Sequence, residues 1–254
     1  MLESLLHGAG QMGLAITSDQ ARQFQLYYEE LVEWNKRVNL TAITDYEEVQ
    51  AKHFLDALTL ITVLEDIPWA RGGFSLIDVG SGAGVPGIPL KIVLSKARVV
   101  LLDSTAKKTA FMQHAVKRLG LTDVEVVTAR AEELAHQPAY RQTFHLAVCR
   151  AVSRLATIAE LTLPFCQTGG LVIAPKKEPI GPELAQAAKA IDALGGRSRE
   201  VKDIHLKGLE QHCLVVLEKV KPTPPRYPRR SGMPEKRPIG QQPTPSIRPQ
   251  HPSC

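Results

Sequence analysis

The 254-residue sequence predicts an α/β fold: a mostly parallel, doubly wound sheet covered by helices on both faces and preceded by a helical segment. Three observations carry this. From Phe74 onward, short and uniformly apolar runs alternate with amphipathic stretches, the pattern of strands buried on both faces. A glycine cluster follows the first of these runs directly, and Asp78 and Asp103 close the first two.

The first seventy residues read as a helical preface. Ser18 or Asp19 can cap a run in which Phe24, Tyr28, Leu31, Trp34 and Val38 recur at three- and four-residue steps, on one packing face. A second run, residues 47–61, places Val49, His53, Leu55, Leu58 and Ile61 at similar steps and stops before Pro68. Then come the strand-like runs FSLIDV, RVVLLD, VEVV, FHLAVC and LVIA. The clearest intervening helix spans residues 105–119, with Phe111, Met112, Ala115, Val116 and Leu119 on one side and Gly120 at its end. After ELAQAAKAIDAL, the segments REVKDIHL and HCLVVLEKV can pair as a final antiparallel hairpin, which makes seven strands.

Three regions are expected: the preface at 1–70, the sheet domain at 71–220, and a basic tail at 221–254. Ten of the 18 prolines fall between Pro222 and Pro252 among few large apolar residues, so the tail is expected to be largely disordered, although its first part could dock. The formal charge of +5 is concentrated there: from Lys219 to Cys254 eight basic residues face Glu235 alone. A near-neutral body with a basic end suits one anionic partner, nucleic acid first. Cys149, Cys166, Cys213 and Cys254 lie far apart without a C-x-x-C pair, so neither a zinc cluster nor a disulfide framework is expected. MLESLLHGAG has no Lys or Arg, and nowhere do eighteen apolar residues run together. A soluble, cytoplasmic protein without a metal is therefore expected.

The segment DVGSGAGVPG runs from the first strand into a helix beginning near Ile88. Gly82, Gly84 and Gly87 satisfy the dinucleotide spacing G-x-G-x-x-G, in which a helix N-terminus holds a pyrophosphate. The rival is an S-adenosylmethionine loop entered by an acidic residue, here Asp78. Asp103 can accept hydrogen bonds from both ribose hydroxyls of either ligand, so it does not discriminate. Arg130, Ala131 and Glu132 follow the third strand at the same edge and could frame an adenine. Arg150 follows the fourth, pointing into the crevice or lying at the surface.

LIDVGSGAGVPGIPL, VVLLDSTAKKTAFMQ, ARAEEL, VCRAVSRL and RYPRRSGMPEKRPIG, with EWNKRVNLTAITD and KHFLDAL ahead of them, together resemble the ribosomal RNA small subunit methyltransferase G family, also called glucose-inhibited division protein B. The resemblance covers roughly residues 27–240, and Pro243 onward is an unmatched extension. It implies a Rossmann-like, class I S-adenosylmethionine-dependent methyltransferase fold and methylation of N7 of a guanine in the 530 loop of 16S ribosomal RNA. Carried over by position, the cofactor contacts are Gly80, Val85, Asp103, Ser104, Thr105, Ala131, Glu132 and Arg150. Where the family usually has Lys-Gly after the fifth strand, this chain has Pro175-Lys176-Lys177.

N7 of guanine carries an in-plane lone pair at neutral pH, so attack on a sulfonium methyl needs alignment rather than a general base. In keeping with that, the sequence lacks an Asn/Asp-Pro-Pro-aromatic motif, and Cys149 is not preceded by proline as a covalent cysteine would be. Phosphate contacts are expected from Lys36, Arg37, Asn39, Lys107, Lys108, Lys176, Arg226, Arg229 and Arg230, which would neutralise RNA without reading its sequence. His53 and Asp56 lie in the second helical run, where His53 reads as a hydrogen-bonded packing residue. Tyr28 and Trp34 are expected to pack the preface onto the sheet. The resemblance implies 16S ribosomal RNA or the small ribosomal subunit as the partner, and a monomer is expected.

Overall fold

In the computed structural model, which describes residues 2–150 and 153–240, seven strands form one sheet in the order β3-β2-β1-β4-β5-β7-β6. The strands are β1 (Ser75–Val79), β2 (Arg98–Asp103), β3 (Val124–Thr128), β4 (Phe144–Val148), β5 (Cys166–Lys177), β6 (Gly196–Asp203) and β7 (His212–Lys219). β1 to β5 are parallel, and β7 lies antiparallel between β5 and β6. The order reverses between β1 and β4, which opens a crevice at the carboxyl edge of the sheet. This is the class I methyltransferase arrangement, including the antiparallel pair expected at the end of the chain.

Alternation along each strand sends neighbouring side chains to opposite faces. Leu76 joins one core with Leu101, Leu146 and Ile173, while Ile77 joins the other with Val100, Ala147 and Val172. β3 departs from the expected burial. At the edge of the sheet its side chains are half-buried or exposed, because only β2 borders it.

The preface covers the first face. α1 (Glu3–Gln11) is followed by α2 (Ser18–Asn35), which is capped one residue earlier than the sequence indicates: Thr17 accepts from Gln20 N, and the Gln20 side chain accepts from Thr17 N. Tyr27, rather than Tyr28, is the fully buried tyrosine of α2; it stacks near Phe54 and Phe111 at 5.5 and 6.4 Å. Each such ring contributes about 2 kcal/mol by leaving water. The second run is a composite: α3 (Tyr46–Val49), a π-helical stretch at Gln50–Leu55, α4 (Asp56–Thr59) and a 3₁₀ turn at Leu60–Val63. The wider π turn turns Gln50, His53, Phe54 and Leu55 inward together, which a 3.6-residue period does not anticipate.

The remaining helices are α5 (Gly87–Val93), α6 (Ala106–Arg118), α7 (Ala131–Leu134), α8 (Leu155–Thr162), α9 (Gly181–Ala193) and α10 (Met233–Lys236). None of the described helices is long and apolar enough to cross a membrane, and no group of three His, Cys, Asp or Glu among the described residues could hold a metal ion.

Residues 221–240 dock on the body, the outcome allowed for the first part of the tail; residues 241–254, including the unmatched extension, lie outside the described residues. The docked part runs across the second face. Arg141 donates through Nη1 to Ala135 O and Tyr227 O at 2.9 Å each, and through Nη2 to Thr223 O and Pro224 O at 2.9 and 3.2 Å. Buried Lys219 donates to Leu163 O, Leu194 O and Thr223 Oγ1. Prolines have no amide to satisfy and a preset φ, so cations of the body suffice to order the segment through its carbonyls.

Candidate active site

The loop after β1 is held by its neighbours on three sides. Gly80 N and Ser81 N donate to Leu102 O at 2.8 and 3.0 Å, Gly82 N donates to Asp103 Oδ2 at 3.0 Å, and Tyr27 Oη donates to Ala83 O at 2.6 Å. Gly84 has φ +89°, and a Cβ there would lie 3.2 Å from Tyr27 Oη. Gly87 serves close packing instead: a Cβ would overlap Leu101 and stand 2.8 Å from Asp78 Oδ2. Around Gly80, by contrast, a Cβ would meet nothing within 4 Å, so the backbone there borders open space.

The N-terminus of α5 decides between the two ligand classes. Gly87 N donates to Asp78 Oδ2 at 2.8 Å and Ile88 N to Gly84 O at 2.7 Å, while Pro86 and Pro89 have no amide hydrogen. A pyrophosphate needs those donors free and no carboxylate beside them. The dinucleotide reading therefore loses its binding element, despite the matching glycine spacing.

Two carboxylates flank the loop instead. Asp78 is fully buried; Oδ1 has no hydrogen-bond partner, and burial pushes its carboxyl up to about 7. Asp103 is 7% exposed at the end of β2 and uses one lone pair of each oxygen: Oδ2 accepts Gly82 N, and Oδ1 accepts Thr105 N at 2.8 Å. Further acceptor capacity is left on both oxygens. Thr105 is the N-cap of α6 but makes no side-chain cap, so Asp103 fixes that turn. Ser104 and Thr105 are exposed beside it. This donor set fits a cationic, hydroxyl-bearing ligand such as S-adenosylmethionine and not a diphosphate.

The other cofactor positions divide. Val85 is buried in the first core, so only its backbone faces the loop. Ala131 opens α7, and Glu132, nearly buried, accepts Gly232 N of the docked tail on Oε1 at 2.8 Å. Arg150 reaches back to the preface: Nη1 donates to Lys52 O at 2.7 Å and lies 3.4 Å from Asp56 Oδ2, and Nη2 is 3.2 Å from His53 Nδ1. Burial and this guanidinium hold His53 down to about 4, so its ring is neutral. His53 Nδ1 also lies 3.1 Å from Lys52 O, and Nε2 stands 3.0 Å from Thr41 Oγ1, so both ring nitrogens are engaged. His212 Nδ1, at the start of β7, stands 3.3 Å from Asp56 Oδ1 and completes the cluster.

Among the expected phosphate contacts, two have internal partners. Lys176 Nζ donates to Ser153 O and Glu183 Oε1, both at 2.6 Å, so the Pro175-Lys176-Lys177 departure, which forms the last residues of β5 and not a loop after it, serves as an internal tie. Arg229 forks onto Glu160, a fully buried carboxylate: Nε reaches Oε1 at 2.8 Å and Nη2 reaches Oε2 at 2.6 Å. Lys36 and Arg37 share Glu33 near the surface, and Lys108 Nζ lies 4.0 Å from Asp103 Oδ2. Asn39, Lys107, Arg226 and Arg230 are exposed. Tyr27, Arg141, Glu160 and His212 were missed. Glu160 alone had a visible signal, as the single charge in the apolar run LATIAELT.

The model of the family described as rRNA small subunit methyltransferase G matches residues 20–214. Ribosomal RNA small subunit methyltransferase G of Dehalococcoides mccartyi (strain CBDB1) is 47% identical over 239 residues, covering 94% of this chain and 100% of that protein. The protein of that name from Roseiflexus sp. (strain RS-1) is 46% identical over 238 residues, with 94% and 100% covered. Among solved structures, the branched-chain polyamine synthase from Thermus thermophilus has a similar fold, with a TM-score of 0.54 at 16% identity over 78% of this chain and 64% of that one.

Proposed function

Because the chain belongs to the ribosomal RNA small subunit methyltransferase G family, we propose that it methylates N7 of a guanine in the 530 loop of 16S ribosomal RNA, using S-adenosylmethionine, as a cytoplasmic monomer. The observation that carries the cofactor is the carboxylate-flanked loop at a helix start with no free anion-binding amides. S-adenosylmethionine supplies an electrophilic methyl group on a sulfonium.

The chain's own residues supply position. Asp103 accepts the ribose hydroxyls with the acceptor capacity its two amide partners leave, and Ser104 and Thr105 border the same sugar. The backbone at Gly80, Val85, Ala131 and Glu132 lines the remaining walls. Arg150 is a positioning residue: it ties the loop after β4 to the preface and so fixes the mouth of the crevice. No side chain need remove a proton, since the guanine lone pair is free at neutral pH. Rate enhancement then comes from holding the base at attack distance. Exposed Lys36, Arg37, Asn39, Lys107, Arg226 and Arg230, with half-buried Lys108, meet phosphates.

Transfer of labelled methyl to small ribosomal subunits lacking the modification, mapped by N7-selective strand cleavage, tests this. Label at one guanine in the 530 loop is expected. Tight cofactor binding with no label on subunits or naked 16S RNA would sink the substrate assignment and keep the fold.

A further inference from the structure

The docked tail crosses the rim of the crevice in a way that catalysis by alignment does not require. Between Arg229, anchored on buried Glu160, and Pro238, itself buried, a strap of eight residues touches the loops after two different strands. After β3, Gly232 N donates to Glu132 and Ser231 Oγ donates to Glu133 Oε1 at 3.0 Å. After β4, Ser153 Oγ donates to Glu235 Oε2 at 2.6 Å. Thr157 Oγ1, below the strap in α8, donates to Pro234 O at 2.9 Å.

The charges are sorted by side. The inward partners, Glu132 and Glu133, form an acidic rim that would repel a phosphate backbone. The outward residues Arg230, Lys236 and Arg237 are exposed, and none is in an ion pair among the described residues. The strap thus sets three basic residues over an acidic edge, while its own Glu235 is held by Ser153. Most of its rim bonds are solvent-exposed, where each adds little by itself. A ligand that holds Arg230, Lys236 and Arg237 would strengthen the inward bonds, since these basic residues flank the bonded ones at both ends of one short segment.

We propose that the strap at residues 230–237 couples the RNA surface to the cofactor crevice, so that a bound RNA backbone tightens the hold on the cofactor. The proposal rests on the methyltransferase reading above. Coupling is reciprocal: the cofactor tightens RNA binding by the same factor. Ser231 and Glu235 are positioning residues, acting through Glu133 and Ser153.

The test uses the full chain, unmodified small ribosomal subunits and labelled S-adenosylhomocysteine, which has no methyl to transfer, in equilibrium dialysis. In the wild type, saturating subunits are expected to lower its Kd roughly fivefold or more. The double variant Ser231→Ala/Glu235→Ala should bind each ligand separately with an unchanged melting temperature, and lose that gain. Ser231→Thr/Glu235→Gln, which keeps the hydrogen bonds, should restore it. If both ligands bind the wild type without mutual effect, or the double variant couples as the wild type does, the strap proposal is overturned while the methyltransferase reading stands. If the wild type binds neither ligand, the reading beneath it fails, and the proposal with it.

Discussion

Tyr27 reaches the cofactor loop from the preface, and removing its hydroxyl isolates that link. Tyr27→Phe keeps the ring between Phe54 and Phe111 and deletes a 2.6 Å hydrogen bond to Ala83 O, where both residues are buried. The bond itself contributes about 1 kcal/mol, and an orphaned buried carbonyl costs roughly 1–3 kcal/mol. The loss should then be near 2 kcal/mol. In a chain of this size that lowers the melting temperature by about 4–8 °C, at 2–4 °C per kcal/mol. If the loop relaxes in the free protein and is re-formed by ligand, part of the loss moves into binding, and affinity for S-adenosylmethionine falls by up to about tenfold. Calorimetric melting and cofactor titration of the same samples read both shares. An unchanged melting temperature together with an unchanged affinity would refute the idea that the preface sets the loop's conformation.

Asp103→Ala should weaken cofactor binding by about 1.5–3 kcal/mol, through lost charge-assisted hydrogen bonds; titration calorimetry checks it, and wild-type affinity would remove Asp103 from the site. Asp78 has a folded-state carboxyl pushed up to about 7 from 3.8, so between those values the native state binds more protons than the unfolded chain. Its contribution is full below about pH 4 and is lost as pH rises through 7; urea unfolding of wild type and Asp78→Asn across that window should show a decline only the wild type has, and parallel curves would contradict the assignment. Arg229→Met leaves Glu160 charged and buried, which costs about 3–5 kcal/mol, whereas Glu160→Met with Arg229→Met should recover most of it. Equal melting of the single and double variants would show that the pair is not coupled.

The strands were legible because burial on both faces leaves the interior of a run such as RVVLLD, its VVLL, no polar position, and the glycine loop because a turn into a helix admits few residue types. Side-chain direction was less so. Residues 27 and 28 both neighbour residues 24 and 31 on a helix, and only packing against Phe54 and Phe111 selects Tyr27. The π turn in the second run shifts the register of everything after Gln50, which no fixed period follows. Glycine spacing alone admitted a dinucleotide; what excluded it, the use of Gly87 N by Asp78 and the two prolines in the first turn, needed three dimensions to weigh. Composition allowed residues 221–240 to dock without showing where, because the partners of that segment, Arg141 and Glu160, lie about seventy or more residues earlier in the chain.

That last arrangement constrains the order in which the molecule can be assembled. Synthesis delivers Glu160 and Arg141 well before Arg229 and Thr223, so an emerging chain holds a carboxylate without its native cation and a guanidinium with only Ala135 O of its native partners. The second face cannot close dry around them until the strap has left the ribosome. Docking of the tail therefore completes the second face last, and a chain interrupted before residue 229 is expected to be cut there more readily by protease than the full chain, which limited proteolysis of the two checks.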